Sequence, residues 1–373
     1  MGPNDMLQNA ARLQTPLLWG QASCDSLMGR YLPEELPPAG KWHYHQGIFL
    51  YSMLKVWEQT GDDAYLQYPK RYVDGLVDAY GNFLFARDEL DAVMPGLLLF
   101  TLDERFGEPR YRAAADKLRQ LFRTLNKTSE GAFWHKDKYP YQMWLDGLYM
   151  GGVFALQYAD RYGDGELVPM VADWERLMRK HMYDETTGLL FHAWDESREF
   201  PWANPATGCS PELWGRSLGW YGMALADFLD ILPSGHPAAE EWKGVLGRFV
   251  QGLIRFQDPS SGLWYQVVDK GELPDNWLET SCSSLFVYAI SKAVKHGCIG
   301  KEHLEAARKG YEGLIARVRF DERGLIVPDI CIGTSAGDYQ NYVTRPVSEN
   351  DLHGAGAFIL ACAEMEQWHH EQL

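Results

Sequence analysis

The sequence predicts an all-α protein: an (α/α)6 barrel, in which six outer helices surround six inner ones as a closed six-hairpin toroid. Three observations predict it. Helical segments of two kinds alternate along the chain. One kind is amphipathic with a charged face; the other is apolar nearly all round, and such a helix is buried on every side. A turn built on a glycine recurs between them. No Pro-, Gly- or Ser-rich linker interrupts the pattern, so residues 1–373 are expected to form a single domain, with 1–40 as an N-terminal arm and first outer helix. An open solenoid is the alternative, and six pairs with buried inner helices favour closure.

The outer helices follow from their charged faces. They are expected over residues 64–84, 110–122, 166–182, 238–256 and 301–318. The inner helices are expected to begin near Tyr44, Asp91, Asp146, Trp214, Glu279 and Asn350. The third is the most apolar: after Asp146, the residues Leu148, Gly151, Gly152, Phe154, Ala155, Leu156 and Ala159 leave almost no polar face. Ahead of several inner helices comes the repeated turn. It reads Asn126-Lys-Thr-Ser-Glu-Gly131-Ala-Phe-Trp-His135, Asp184-Glu-Thr-Thr-Gly188-Leu-Leu-Phe-His192, Asp258-Pro-Ser-Ser-Gly262-Leu-Trp-Tyr-Gln266 and, shorter, Asp321-Glu-Arg-Gly324. Each suits a tight turn leading into a short extended piece. The glycines lie about 57, 74 and 62 residues apart, too far for a tetratricopeptide-like unit.

If the inner helices run parallel, their N-termini meet at one mouth. Polar and aromatic residues gather at all six starts: Trp42 to Gly47, Leu90-Asp91, Trp144 to Gly147, Trp214-Gly-Arg216, Glu279-Thr280 and Asn350 to Gly354. Convergent helix N-termini favour an anion such as a carboxylate. The active site is expected there.

Composition narrows the chemistry. A net charge of -16 without basic clusters argues against nucleic acid and against an anionic membrane. No apolar run reaches membrane-spanning length, and the N-terminal Met1-Gly-Pro-Asn-Asp-Met6 carries no signal-peptide pattern. The six cysteines are scattered and read as free thiols of a reducing compartment, so a cytoplasmic protein is expected. Aromatic residues make up 13% of the chain, many beside glycine or charge, as in the clefts that bind sugars. No GxGxxG, Walker or G-x-S-x-G motif is present, and His43-Tyr-His45, His135 and His192 lack the spacing of a metal site, so neither metal nor cofactor is expected.

Four residues at the mouth carry the chemical question. Asp146 is either the N-cap of the third inner helix or a general acid whose neighbour Trp144 raises its pKa. Asp91 is a cap or a second carboxylate beside the substrate. Arg216 lies where it cannot easily reach water, so it needs a carboxylate partner, either the protein's or a substrate's. Trp220, one turn beyond, shares the same Gly- and aromatic-rich segment.

Trp144-Leu-Asp146-Gly147-Leu-Tyr-Met-Gly151, Trp214-Gly-Arg216-Ser-Leu-Gly-Trp220-Tyr-Gly-Met-Ala-Leu and Asn350-Asp351-Leu-His-Gly354-Ala-Gly-Ala-Phe occur in that order. Together they resemble the signatures of the unsaturated rhamnogalacturonyl hydrolases, glycoside hydrolase family 105, related to the family 88 unsaturated glucuronyl hydrolases. The resemblance runs from about Tyr44 to the C-terminus and implies the (α/α)6 barrel. It also implies a substrate: an unsaturated uronyl disaccharide left by a polysaccharide lyase. Asp146 would protonate C4 of the C4=C5 vinyl ether and then help water add at C5. Tyr44, Asp91, His135, Trp144, His192, Trp214, Arg216 and Trp220 would line the sugar pocket, with Arg216 or a histidine facing the carboxylate. The segment after Asp91 departs from the more polar family pattern, and the surroundings of Tyr44 are less diagnostic. The family needs no metal. A conventional inverting glycosidase using Asp146 and Asp91, a sugar epimerase, and a non-catalytic carbohydrate-binding toroid are the competing readings. Neither the aglycone sugar nor the oligomeric state is fixed by the sequence.

Overall fold

The computed structural model describes residues 13–84, 86–369 and 371. Helices dominate it, and they alternate as expected. The outer helices are Pro16–Met28, Ala64–Leu76, Pro109–Thr124, Leu167–Met182, Pro237–Ile254 and Leu304–Arg317. The inner ones are Tyr44–Thr60, the broken pair Leu90–Val93 and Leu97–Phe106, Leu148–Gly152 running into Val153–Tyr162, then Gly215–Ile231, Thr280–Lys295 and Leu352–Met365. Each inner helix packs on the next, and Leu352–Met365 returns to Tyr44–Thr60, so the ring is closed. The fold is an (α/α)6 toroid. Residues 1–12 of the expected N-terminal arm lie outside the described residues.

Sequence patterns account for the burial. Gly215–Ile231 and Leu352–Met365 are buried along nearly their whole length, as helices without a polar face must be. The outer Pro109–Thr124 buries only one side, through Tyr111, Ala114, Ala115, Leu118, Arg119 and Phe122. Two inner helices depart from regular geometry. Pro95, which lacks an N–H, sits in a 3-10 turn, Met94–Gly96, that divides the second. The third opens with a π-helical turn at Leu148–Gly152, directly after Asp146; such wide turns recur at functional sites. Gly152 permits this close packing, since a Cβ there would lie 2.9 Å from the Phe228 ring.

The outer helix expected over residues 64–84 ends at Leu76. Asp78-Ala-Tyr-Gly81 is a further copy of the turn: Gly81 takes φ 75°, the Asp78 carboxylate accepts from the backbone of Tyr80 and Asn82, and Val77 bridges Phe83. The glycines of the four recognised turns, Gly131, Gly188, Gly262 and Gly324, also have positive φ, a conformation glycine adopts at little cost. The extended pieces at Gly188 and Gly324 form small two-stranded antiparallel pairs, and those after Gly81, Gly131 and Gly262 make isolated bridges. All six cysteines are free. Among the described residues, no helix is long and apolar enough to cross a membrane.

Candidate active site

One extended pair assembles the centre of the site. Strand Gln142–Trp144 runs antiparallel to Ala193–Asp195, with Trp144 opposite Ala193. Continuing that register, Leu145 N–H donates to the His192 carbonyl at 3.0 Å. His192, 46 residues from Asp146 in sequence, is thereby carried beside it: Nε2 lies 3.0 Å from Asp146 Oδ2. His135 joins from the other side, its N–H donating to the Gln142 carbonyl at 2.8 Å. Its ring stacks on Trp144, with centroids 4.4 Å apart and planes 9° apart.

Asp146 is not a cap, because no side-chain cap bond is made at the head of the third inner helix. Its pKa also departs from expectation. Burial pushes the carboxyl up, but the His192 and His135 imidazoles outweigh burial and leave it below its ordinary value. Trp144 can add only to the burial that the imidazoles outweigh. His192 is fully buried, and its Nδ1 is 2.7 Å from the Tyr342 hydroxyl, which also accepts the Gly337 N–H at 3.1 Å. With the tyrosine donating to Nδ1, Nε2 carries a hydrogen toward Asp146. The two facing atoms, Asp146 Oδ2 and His192 Nε2, still lack aligned hydrogen-bond partners. The Asp146 carboxylate therefore retains bonding capacity.

Asp91 behaves differently. It too heads an inner helix without capping it. Lys136 Nζ lies 2.5 Å from its Oδ2, His43 Nε2 is 3.5 Å from the same oxygen, and His135 Nε2 is 3.5 Å from Oδ1. Burial opposes the charge, yet His135, His43 and Lys136 together hold the carboxyl far below the carboxylate range. Asp91 is a fixed anion paired with Lys136 and faced by two imidazoles.

Asp91, Asp146, His135, Trp144 and Tyr44 open together on a cavity of about 290 Å3, completed by His43, His45, Lys136, Tyr139, Met150 and the segment Gly333 to Ser335 with Arg345. A neighbouring groove of about 800 Å3 shares His43, His45 and Lys136 and runs along Pro38 to Trp42 and Leu84 to Glu89, with residue 85 outside the described set. Burial raises the Tyr44 hydroxyl's pKa, so it stays protonated.

The remaining expected residues sit behind the cavity. Trp214 packs against His192 at 4.6 Å and stacks on Tyr342 at 5.4 Å. Trp220 stacks on Tyr149 at 5.2 Å and meets Tyr44 edge-on at 6.2 Å. Arg216 was expected to need a carboxylate. Instead its guanidinium donates to the carbonyls of Cys331 at 2.5 Å and Ile332 at 2.6 Å and lies over the Trp214 ring. Two carbonyls satisfy it, and it is 1% exposed.

Sequence reasoning passed over Lys136, Tyr342 and Arg345. Lys136 directly follows a residue that was singled out. Arg345 occupies the stretch just ahead of the sixth inner helix, the place His135 and His192 hold before theirs. That positional likeness was the available signal. As for ligation, His45, Asp351 and His353 offer atoms within 4.8 Å of one another, as do His43, Glu89 and Asp91. In the second group Lys136 Nζ already neutralises the two carboxylates.

Known proteins share this arrangement of helices. The family model described as Glycosyl Hydrolase Family 88 matches residues 19–369. A 24.9 kDa protein in the picA locus of Rhizobium radiobacter is 36% identical over 235 residues, which is 58% of this chain and 97% of that protein. The unsaturated rhamnogalacturonyl hydrolase YesR of Bacillus subtilis (strain 168) is 25% identical over 365 residues, 94% of this chain and 96% of that protein. The solved structure of a glycoside hydrolase from family 105 of C. acetobutylicum ATCC 824 superposes with a TM-score of 0.89 at 34% identity, covering 94% of this chain and 99% of that one.

Proposed function

The chain belongs to glycosyl hydrolase family 88 and, within that kinship, to family 105, and on that premise we propose that it hydrolyses unsaturated uronyl disaccharides of the rhamnogalacturonan type, with Asp146 as the proton-transferring residue. The observation that carries this reading is the Asp146–His192 contact at 3.0 Å, beside a cavity of about 290 Å3 whose size suits one sugar ring.

The acid is Asp146 as His192 tunes it. A lone buried carboxyl would hold its proton tightly; here His192, its Nε2 hydrogen directed at Oδ2, pulls the carboxyl toward ionisation, so in the acid form the proton to be given away sits on the Asp146 carboxyl and leaves readily while the imidazole keeps its own. When C4 of the vinyl ether approaches Asp146, that proton passes to carbon and C5 becomes oxocarbenium-like. Asp146, now without it, accepts a proton from the water that adds at C5. The hemiketal so formed opens at its ring oxygen, and C1 then expels the neighbouring sugar as its free alcohol. One group can act as acid and then as base; the lowered carboxyl favours the base form at rest and makes its protonated form a strong acid. Tyr342 fixes the imidazole tautomer from behind.

Asp91 holds and orients. Its oxygens face Lys136, His43 and His135, so it is placed to accept hydroxyl hydrogens of the sugar and poorly placed to activate a water. That speaks against the conventional inverting glycosidase. The adjoining groove has room for the aglycone.

The test is a panel of lyase-generated disaccharides followed by the ultraviolet absorbance of their conjugated double bond. Loss of absorbance with release of the second sugar is expected. Unchanged absorbance across the panel, with folded protein, rules the reading out.

A further inference from the structure

Among the described residues at the cavity, Lys136, His43 and His135 each face a carboxylate, and Arg345 does not. Lys136 serves Asp91 at 2.5 Å and Glu89 at 3.6 Å. His43 lies 3.5 Å from Asp91 and 3.8 Å from Glu89, and His135 faces Asp91. Arg216, behind the wall, is satisfied by two carbonyls. Arg345 lines the cavity itself. Its Nε donates to Thr334 Oγ1 at 3.1 Å and its Nη2 to the Gly333 carbonyl at 2.5 Å. Those bonds fix the guanidinium and leave Nη1 without a hydrogen-bond partner among the described residues. Among the described residues, no carboxylate pairs with it.

We propose that Arg345, steadied by Gly333 and Thr334, is the binding site for the carboxylate of the unsaturated uronyl ring, in place of Arg216. This deepens the hydrolase reading and rests on it for the identity of the ring. Three further points support it. A guanidinium anchored along one edge presents its remaining N–H groups in the fork that matches a carboxylate. On a chain of net charge -16, an anionic ligand needs a local cation that no acidic side chain has already neutralised. Finally, the substrate's carboxylate is attached to C5, the carbon next to the one Asp146 protonates, so its receptor must open on the same cavity as Asp146; Arg345 does. The segment that carries Arg345 also carries Tyr342, whose hydroxyl sets His192. Recognition of the carboxylate and orientation of the acid are thus built into one stretch of chain.

The experiment compares the free acid of an unsaturated disaccharide with its C6 methyl ester, in the wild type and in Arg345→Ala, Arg345→Lys and Arg345→Gln. Arg345→Ala is expected to raise KM for the acid by about 10- to 100-fold, the range for a hydrogen-bonded charged group, with a smaller fall in kcat. The preference for acid over ester should shrink by the same factor. Lysine should recover part of it. Glutamine can still donate to Gly333 or Thr334 but has no charge, and should behave like alanine. An acid-to-ester ratio unchanged by Arg345→Ala overturns the proposal, as does full recovery by glutamine, which would mean that the residue only shapes the loop. Thermal melts establish that each variant is folded. Should the wild type cleave no unsaturated disaccharide, the hydrolase reading fails by itself. Calorimetric binding of galacturonate then still decides the site: weakening of about tenfold or more in Arg345→Ala upholds it, and equal affinity overturns it.

Discussion

At one end of the inner ring Lys292 lies between Asp227, at 3.2 Å, and Asp230; Tyr288 donates to Asp227 at 2.6 Å and His296 faces Asp230 at 2.8 Å. At the other end Asp91 lies among Lys136, His43 and His135, and Asp146 faces His192. Both mouths open on cavities of similar size, about 340 and 290 Å3. Lys55, Lys292 and Lys295 stand at the first mouth with Glu58, Asp227, Asp230 and Glu364, and Asp91 and Asp146 at the second with Lys136 and Arg345. The difference is in what is left unbonded. At the lysine end one buried side-chain atom, Asp227 Oδ2, lacks an aligned hydrogen bond among the described residues; at the other, Asp146 Oδ2, His192 Nε2, His135 Nδ1 and His353 Nδ1 do, although Asp146 and His192 face each other at 3.0 Å and His353 Nδ1 lies 2.9 Å from Asp351. A buried polar atom without an aligned bond costs stability, and the second mouth carries more of them.

The sharpest way to break this comparison is Asp146→Asn, which keeps the shape and removes the proton. Turnover should fall by about 10^3-fold or more, within the span of general acid–base effects, while the melting temperature hardly moves. Near wild-type turnover in the folded variant would leave Asp146 as mere lining. The matching change at the far mouth is Lys292→Met. Removing one member of a buried ion network leaves an uncompensated charge at a cost of about 3–5 kcal/mol, read by urea unfolding. Here kcat and KM should stay as they were, and a drop in kcat without loss of stability would abolish the division of labour between the two ends.

How much of this could be read from the chain follows the same division. The six inner starts, the turn glycines and the position of Asp146 depend on local pattern, and they were legible. Partnerships across the barrel were not. His192 was singled out for its place in a repeat, but only the register of Trp144 opposite Ala193 brings it to Asp146. Arg216 illustrates the reverse error. A buried arginine called for an acceptor, and a carboxylate was assumed; the chain supplied the Cys331 and Ile332 carbonyls, more than 100 residues away. Composition cannot reveal backbone acceptors. Trp214 and Trp220 belong to the same motif and were placed on the pocket wall, whereas the ring presents them one layer deeper. The expected helix over 64–84 failed for a local reason, the Asp78-to-Gly81 turn having been overlooked.

The next effect concerns charge. In His192→Gln the attraction that lowers the Asp146 carboxyl is lost and burial, which raises it, remains. Its titration must therefore move to higher pH, measurable by carboxyl 13C NMR of the labelled protein. Turnover should fall by about 100-fold, the lower end for an acid–base group. Tyr342→Phe should shift the titration in the same direction but less, because the imidazole stays and only its tautomer is freed. An Asp146 titration that stays in place or moves down in His192→Gln would mean that the 3.0 Å contact does not govern the acid.

Trp144→Phe should have the smallest effect, and it separates two roles for the ring. The indole stacks on His135 and its N–H donates to Gln142 Oε1 at 2.9 Å. Phenylalanine keeps an aromatic face toward His135 and removes that N–H. If Trp144 chiefly excludes water and supports His135, the loss should be one aromatic contact's margin, about 1 kcal/mol or roughly fivefold in kcat/KM, and the Asp146 titration should not move. If the indole wall itself set the carboxyl's pKa, as the sequence suggested, the titration would shift downward on thinning that wall and the rate would fall much further. Measuring both on the same variant distinguishes a ring that packs the acid's surroundings from one that tunes the acid, and the imidazole at 3.0 Å predicts the former.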